Sequence, residues 1–303
     1  MKIIRNCLKN TVFLATGLFA LPLLVQAQPT AHYAPGTEGI KAASLPPPGI
    51  YLRDYNSFYY ADRLNLANGD KNTLAEPTKA FIYAQVPRLI WITDLQLLGG
   101  NIGVDGLVPI EYKDLKINTP GGLFNDQTFS VGDVFAEVTW SKHIQQFDFS
   151  AGYGAWAPTG DYHNPTQAGL GYWTHMLTAG ATWYIDSDKK WAFSALNRYE
   201  FNMENERTEI TTGQAYTVEG GLSYTVCKNV DIGGIAYYQQ KVTTDSGSPS
   251  ASKERDRVAA AGPEISAFCS KLGLITSLRY EYKFLAESRL QGHTVTLTLT
   301  YRF

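Results

Sequence analysis

The chain has 303 residues, 26 basic and 28 acidic side chains and a formal net charge of -2, without the basic excess that a nucleic-acid partner requires. Its 19 Tyr, 14 Phe, 6 Trp and 27 Gly are a heavy load of aromatic and turn-forming residues, better suited to a β-rich wall than to a helical protein. Of the three cysteines none stands in a CxxC spacing, and the five histidines form no cluster, so no metal site and no cofactor are expected.

Lys2, Arg5 and Lys9 precede an apolar run over 11–25, and Val25-Gln26-Ala27 offers a small-residue cleavage pattern. Residues 1–27 therefore read as a signal peptide, with Gln28 starting the mature chain. The run is too short for a spanning helix, and no other stretch approaches 20 apolar residues. Membrane residence would have to be by strands. Residues 28–48 are polar and end in Pro46-Pro47-Pro48, which reads as an extended periplasmic lead-in; the alternative is a plug inside a barrel.

From Gly49 the sequence breaks into short alternating runs. Strands are expected over 50–60, 78–93, 97–112, 127–141, 146–158, 171–185, 191–202, 214–226, 230–242, 255–269, 271–284 and 293–303. The last is the clearest. Val295, Leu297, Leu299, Tyr301 and Phe303 alternate with Thr294, Thr296, Thr298, Thr300 and Arg302, a period of two that only a strand satisfies. Such a long apolar edge would be an aggregation hazard in water, whereas a transmembrane barrel uses strands of this kind to cross a bilayer. Tyr301 and Phe303 would then stand at the membrane boundary as a C-terminal assembly signal, read by the barrel-assembly machinery.

Connections alternate in length. Those at 93–96, 142–145, 186–190, 227–229 and 270 are short, and those at 61–77, 113–126, 159–170, 203–213, 243–254 and 285–292 are long and polar. Tight periplasmic turns facing longer outer loops are the asymmetry of an outer-membrane barrel. The expectation is an all-β, antiparallel, up-and-down barrel of about twelve strands occupying 49–303, monomeric and in contact with outer-membrane lipids.

Charges on the lipid face at mid-membrane depth cost roughly 2–4 kcal/mol for Arg or Lys, so strand charges should point inward. The inward set is Arg88, Asp133, Glu137, Arg198, Glu200, Glu219, Arg257, Glu264, Arg279 and Glu281. Such charges either satisfy one another structurally or line a solute path and set its selectivity. Trp156, Tyr172 and Trp173 stand near the outer strand ends, as girdle residues or as an apolar mouth for aromatic compounds. Trp156 shares parity with Ser150, Gly152 and Gly154, which turns it inward. Cys227 and Cys269 fall near periplasmic turns, and a disulfide between them is left open. No Gly-x-Ser-x-Gly, phosphate loop or HExxH occurs, and no histidine is followed two residues later by Ser, so an outer-membrane hydrolase is the weaker alternative.

Several stretches resemble one family. They are Ala43-Ser-Leu-Pro-Pro-Pro-Gly49, Tyr59-Tyr-Ala-Asp-Arg-Leu-Asn65, Val86-Pro-Arg-Leu-Ile-Trp91 and Tyr153-Gly-Ala-Trp-Ala-Pro-Thr-Gly-Asp-Tyr162, followed by Gly171-Tyr-Trp-Thr-His-Met-Leu177, Ser194-Ala-Leu-Asn-Arg-Tyr-Glu200, Arg255-Asp-Arg-Val-Ala-Ala259 with Gly262-Pro-Glu264, and the Thr-rich last strand. Together they resemble the outer-membrane proteins named after the meta-cleavage pathway of phenol degradation. That resemblance implies an outer-membrane barrel of Gram-negative bacteria, encoded beside aromatic-degradation genes, that passes small hydrophobic or aromatic solutes inward. It supplies no agreed binding residues. The alternative is a structural or adhesive barrel without an open pore.

Overall fold

A computed structural model of the chain describes residues 31–303; the signal-peptide assignment and the first three residues of the expected mature chain lie outside the described residues. Fourteen strand segments join into one antiparallel sheet whose first strand pairs both with the second and with the last, closing a cylinder. In chain order the wall is β1 (Gly49–Leu64), β2 (Lys79–Leu97), β3 (Gly100–Leu107 and Ile110–Thr119), β4 (Gly122–Val131 and Val134–Ile144), β5 (Phe147–Ala157), β6 (Thr174–Tyr184), β7 (Trp191–Asn202), β8 (Ala215–Cys227), β9 (Val230–Lys241), β10 (Arg257–Cys269), β11 (Leu274–Glu287) and β12 (Leu290–Arg302). Because β3 and β4 are each two segments of one strand, the fourteen segments make a twelve-stranded barrel.

The two-residue period explains the wall. Leu52, Phe58, Leu89, Trp91, Val138, Phe193, Ile265 and Leu278 lie exposed on the outside, while Thr139, Ser150, Thr182, Ser194 and Thr217, among many polar residues, are buried inside. Side chains alternate across a strand, so one sequence serves lipid on one face and a polar interior on the other. An exterior exception is Asp54, which accepts hydrogen bonds from Asn56 at 3.0 Å and Gln85 at 3.2 Å; these groups satisfy one another where lipid cannot. Trp91, Trp183, Trp191 and Tyr301 ring the periplasmic end and Tyr60, Trp173 and Tyr282 the outer end, all exposed, as amphipathic rings do at an interface.

The connections differ from the expected alternation in two places. The outer ends of β3 and β4, and of β11 and β12, meet in tight turns at 120–121 and 288–289. The polar stretches expected as long loops there, 113–126 and 285–292, instead extend the strands, with Lys116 paired to Asn125 and Glu287 near the end of β11. Polarity marks chain that has left the membrane, and that chain can still be strand. On the periplasmic side Leu98-Gly99 forms a two-residue turn with both φ angles positive, the geometry that suits a twisted hairpin. Asp186 closes the 185–190 turn by accepting from the backbone N–H of Trp191 and Lys190, and those bonds hold its carboxyl below the usual range.

β3 and β4 are both interrupted, at Val108-Pro109 and Gly132-Asp133. Pro109 has no N–H for the ladder, and its carbonyl accepts from Gly132 at 2.8 Å. The paired breaks interrupt the ladder and leave Asp133 outside strand geometry.

Residues 31–48 do not lead in from outside the barrel. They run through its interior, with Ala31, Tyr33, Ile40 and Ala43 buried and bonded to the wall from His32, near the outer end, to Ser44, near the periplasmic end. The periplasmic lead-in is thus replaced by the plug alternative, because the polar groups that made the segment look solvated are matched by polar groups inside the cylinder.

Candidate functional site

The interior is organised around the segment 31–48. At its centre Glu38 receives three guanidinium groups, from Arg88 at 2.8 Å, Arg53 at 3.0 Å and Arg198 at 3.2 Å. Arg53 and Arg88 stand directly opposite each other on β1 and β2. Like charges in that position repel, and Glu38 between them converts repulsion into a clamp. Arg88 also pairs with Asp105 at 2.9 Å and Glu137 at 3.3 Å, and Glu137 accepts from Thr178 at 2.8 Å.

Toward the outer end, His32 lies between Asp133 (Nε2 to Oδ2, 2.9 Å) and Thr174 (Nδ1 to Oγ1, 2.8 Å). Its ring stacks on Trp156 with centroids 5.3 Å apart and meets Tyr172 edge-on at 5.1 Å. Asp133 also accepts the backbone N–H of Gly160 and Leu170 at 2.9 and 2.8 Å, so one carboxylate ties the segment to the loop 158–173. A hydroxyl, an imidazole and a carboxylate in line resemble a nucleophile triad, but Thr174 donates its proton to Asn202 Oδ1 at 2.6 Å while the Asn202 amide donates to the Gly213 carbonyl at 2.9 Å. Thr174 therefore faces the imidazole as an acceptor, which is not the arrangement of an activated nucleophile.

Glu200 accepts the backbone N–H of His32 and Tyr33 at 3.0 and 3.1 Å. The Tyr33 hydroxyl donates to Glu219, and Arg198 lies 3.9 Å over the Tyr33 ring. Lower down, Glu264 accepts the Ile40 N–H at 2.9 Å, and Arg279, which donates to the Thr37 carbonyl at 3.1 Å, lies 3.5 Å from Glu264 and 3.4 Å from Glu281. Lys41 pairs with Asp231 at 2.7 Å, Ala43 N–H donates to Ser194 at 3.0 Å and the Ser44 hydroxyl donates to Asp148 at 2.6 Å. Gly36 and Gly39 have φ of 84° and 70°, and a Cβ on either would run into Glu281 and Tyr237 or into Glu264 and Arg279. Only glycine fits so close an approach in that conformation. Alongside the periplasmic half of the segment, from Thr37 to Pro47, is a cavity of about 470 Å³ bordered on the wall by Arg53, Glu137, Arg198, Asp231 and Ser277.

Of the residues singled out from sequence, Arg88, Asp133, Glu137, Trp156, Arg198, Glu200, Glu219, Glu264, Arg279 and Glu281 are buried inside the barrel; all but Glu281 and Glu137 hydrogen-bond, pair or stack with the segment, and Glu281 packs against it at Gly36. Arg257 differs. It stands on the outside at the outer rim, paired with Glu287, because it lies a step of seven positions from the inward Glu264 and an odd step on one strand puts two residues on opposite faces. Cys227 and Cys269 are free and exposed; β9 lies between their strands, so they are roughly 10 Å apart by strand spacing, beyond the reach of a disulfide. Trp173 is exterior and 49% exposed, Tyr172 is buried, and Tyr301 and Phe303 lie outside with ring centroids 5.1 Å apart. Sequence reasoning missed Glu38, Arg53, Asp105 and His32. Arg53 was legible from its parity with Tyr51 and Tyr55, but a segment without a period gives no sign of which of its side chains meet the wall.

The sequence matches the family described as "Putative MetA-pathway of phenol degradation" over residues 61–299. No curated protein matches it. Among solved structures, the COG4313 outer membrane channel from Pseudomonas putida F1 superposes with a TM-score of 0.75 at 15% identity, covering 89% of this chain and all of that one. The β domain of the Bordetella autotransporter BrkA is similar at a TM-score of 0.48 and 12% identity, covering 84% of this chain and 99% of that one. The first likeness extends over the whole barrel and shows that this chain has an outer-membrane barrel fold.

Proposed function

Because the chain belongs to the phenol-degradation MetA-pathway family, and the P. putida protein that shares its fold is titled an outer membrane channel, we propose that it is an outer-membrane channel for small apolar or aromatic solutes. The observation that carries this reading is an apolar cluster where a barrel interior should be polar: Phe135, Trp156 and Met176 pack with Tyr33 just inside the outer mouth. Phe135 and Trp156 have ring centroids 4.7 Å apart. The buried Trp156 indole N–H has no partner among the described residues, so a phenolic or carbonyl oxygen would find a donor beside stacked rings. A solute entering there would meet the segment 31–48 next, and the cavity beside its periplasmic half would receive it.

On this reading the inward charges act through the segment. Arg88, Arg198, Glu200, Glu219, Glu264 and Arg279 hold it, and the solute path opens as they release it. Tyr301 and Phe303 would present the C-terminal strand to the assembly machinery, and the barrel would work as a monomer. A second reading has its own observation: the segment fills the lumen, as it would in a structural or adhesive barrel that never opens. Uptake separates the two. In cells with an intact outer membrane, labelled toluene should enter several times faster when the chain is produced than with an empty vector, and Trp156→Ala should remove most of that gain. Equal uptake with and without the chain favours the closed barrel.

A further inference from the structure

The inward charges described above pair among themselves or with the segment, but Lys283 does not. It sits on β11 one inward position beyond Glu281, toward the outer end. Its ammonium lies 3.7 Å over the ring of Tyr59 on β1, and no hydrogen bond or ion pair to it is formed among the described residues. Tyr59 is fixed by donating its hydroxyl to the Leu290 carbonyl at 2.9 Å. Between the two strands Gly292 of β12, opposite Ala61 of β1, contributes no side chain, so the lysine can reach across to the ring. A second cation, Arg289, projects from the β11–β12 turn to Gln239 Oε1 at 2.8 Å and Asp256 at 3.4 Å. The nearest inward carboxylate on the same strand, Glu281, is already engaged by Arg279 at 3.4 Å.

An ammonium inside a cylinder, against an aromatic face and without a carboxylate, is costly. A cation–π contact offsets part of that cost and leaves the N–H donors unused. We propose that Lys283 and Tyr59 form an anion-receiving subsite, on the outer side of the segment, for the carboxylate of an aromatic acid. The carboxylate would accept charge-assisted hydrogen bonds from Lys283, with Arg289 adding to the positive field, while the ring lies along Tyr59. The proposal rests on the channel reading for its biological use and not for its chemistry, and the test keeps the two apart.

Equilibrium dialysis of the detergent-solubilised barrel with labelled benzoate reads the subsite alone. Wild type should bind benzoate, Lys283→Met should weaken it about tenfold, the scale of one charge-assisted contact, and Lys283→Arg should restore most of it. Benzyl alcohol, which keeps the ring and lacks the charge, should bind both proteins within about twofold. Heat-modifiable migration of Lys283→Met verifies that the variant is folded; if it is not, the folded Lys283→Gln replaces it. Unchanged benzoate binding in a folded variant overturns the proposal, as does absence of benzoate binding to wild type at millimolar concentration. If binding follows the prediction but cells take up no aromatic solute through the barrel, the channel reading fails and the subsite stands.

Discussion

Glu38 is the residue on which the interior turns. Three arginines from β1, β2 and β7 converge on it, and two of them would repel each other across neighbouring strands without it. Replacing Glu38 by Gln keeps the shape and removes the counter-charge, leaving buried cations uncompensated, a loss of about 3 kcal/mol or more where such a pair is sealed from water. The expected outcome is a lower unfolding midpoint on heating in detergent, with more frequent and longer open events in planar bilayers. Wild-type conductance and midpoint would mean that the clamp holds nothing. At this scale parity was the legible signal. It turned Arg88, Glu137, Trp156, Arg198 and Arg279 inward from sequence alone, and applied to the seven-residue step from Arg257 to Glu264 it separates those two as well. Glu38 and His32 had no strand period to reveal them, although two arginines at inward positions of β1 and β2 imply an anion between them.

Among the elements, the segment 31–48 and the loop 158–173 are coupled by one side chain. Asp133, freed from the ladder by the break after Val131, bonds His32 of the segment and the backbone of Gly160 and Leu170 in the loop. Asp133→Asn retains the size and loses the charge-assisted bonds, worth about 1.5–3 kcal/mol each. Protease added to intact cells should then nick the loop 158–173 faster than in wild type, and an unchanged cleavage rate would uncouple the two elements. The strands were legible because lipid outside and polar groups inside impose opposite demands on alternate residues. Loop lengths were less so, since β3, β4 and β11 continue as strand after leaving the membrane, where polar composition no longer distinguishes strand from loop. The breaks at Pro109 and Gly132 were visible as residue types, but their consequence, a carboxylate aimed into the lumen, depends on which strand lies alongside.

For the molecule as a whole, a twelve-stranded cylinder is narrow, and the single turn-rich segment 31–48 occupies much of its interior. On the proposed channel reading, passage of a solute depends on the segment moving, since the wall that binds it is a closed ladder. The resemblance seen in the sequence agrees with the family match and the barrel with the fold of the P. putida protein, whereas the proposed solute path rests on the apolar cluster at Phe135, Trp156 and Met176 beside a polar strip of chain. Bare phospholipid vesicles would pass apolar solutes unaided, so the decisive measurement belongs in cells. In a background with Cys227 and Cys269 changed to Ser, the pair A43C/S194C would staple the segment to β7, where Ala43 N–H now meets the Ser194 hydroxyl. Toluene uptake should fall to the empty-vector level when the staple is oxidised and recover on reduction. Uptake that is the same in both states, with the cross-link verified, would contradict the account.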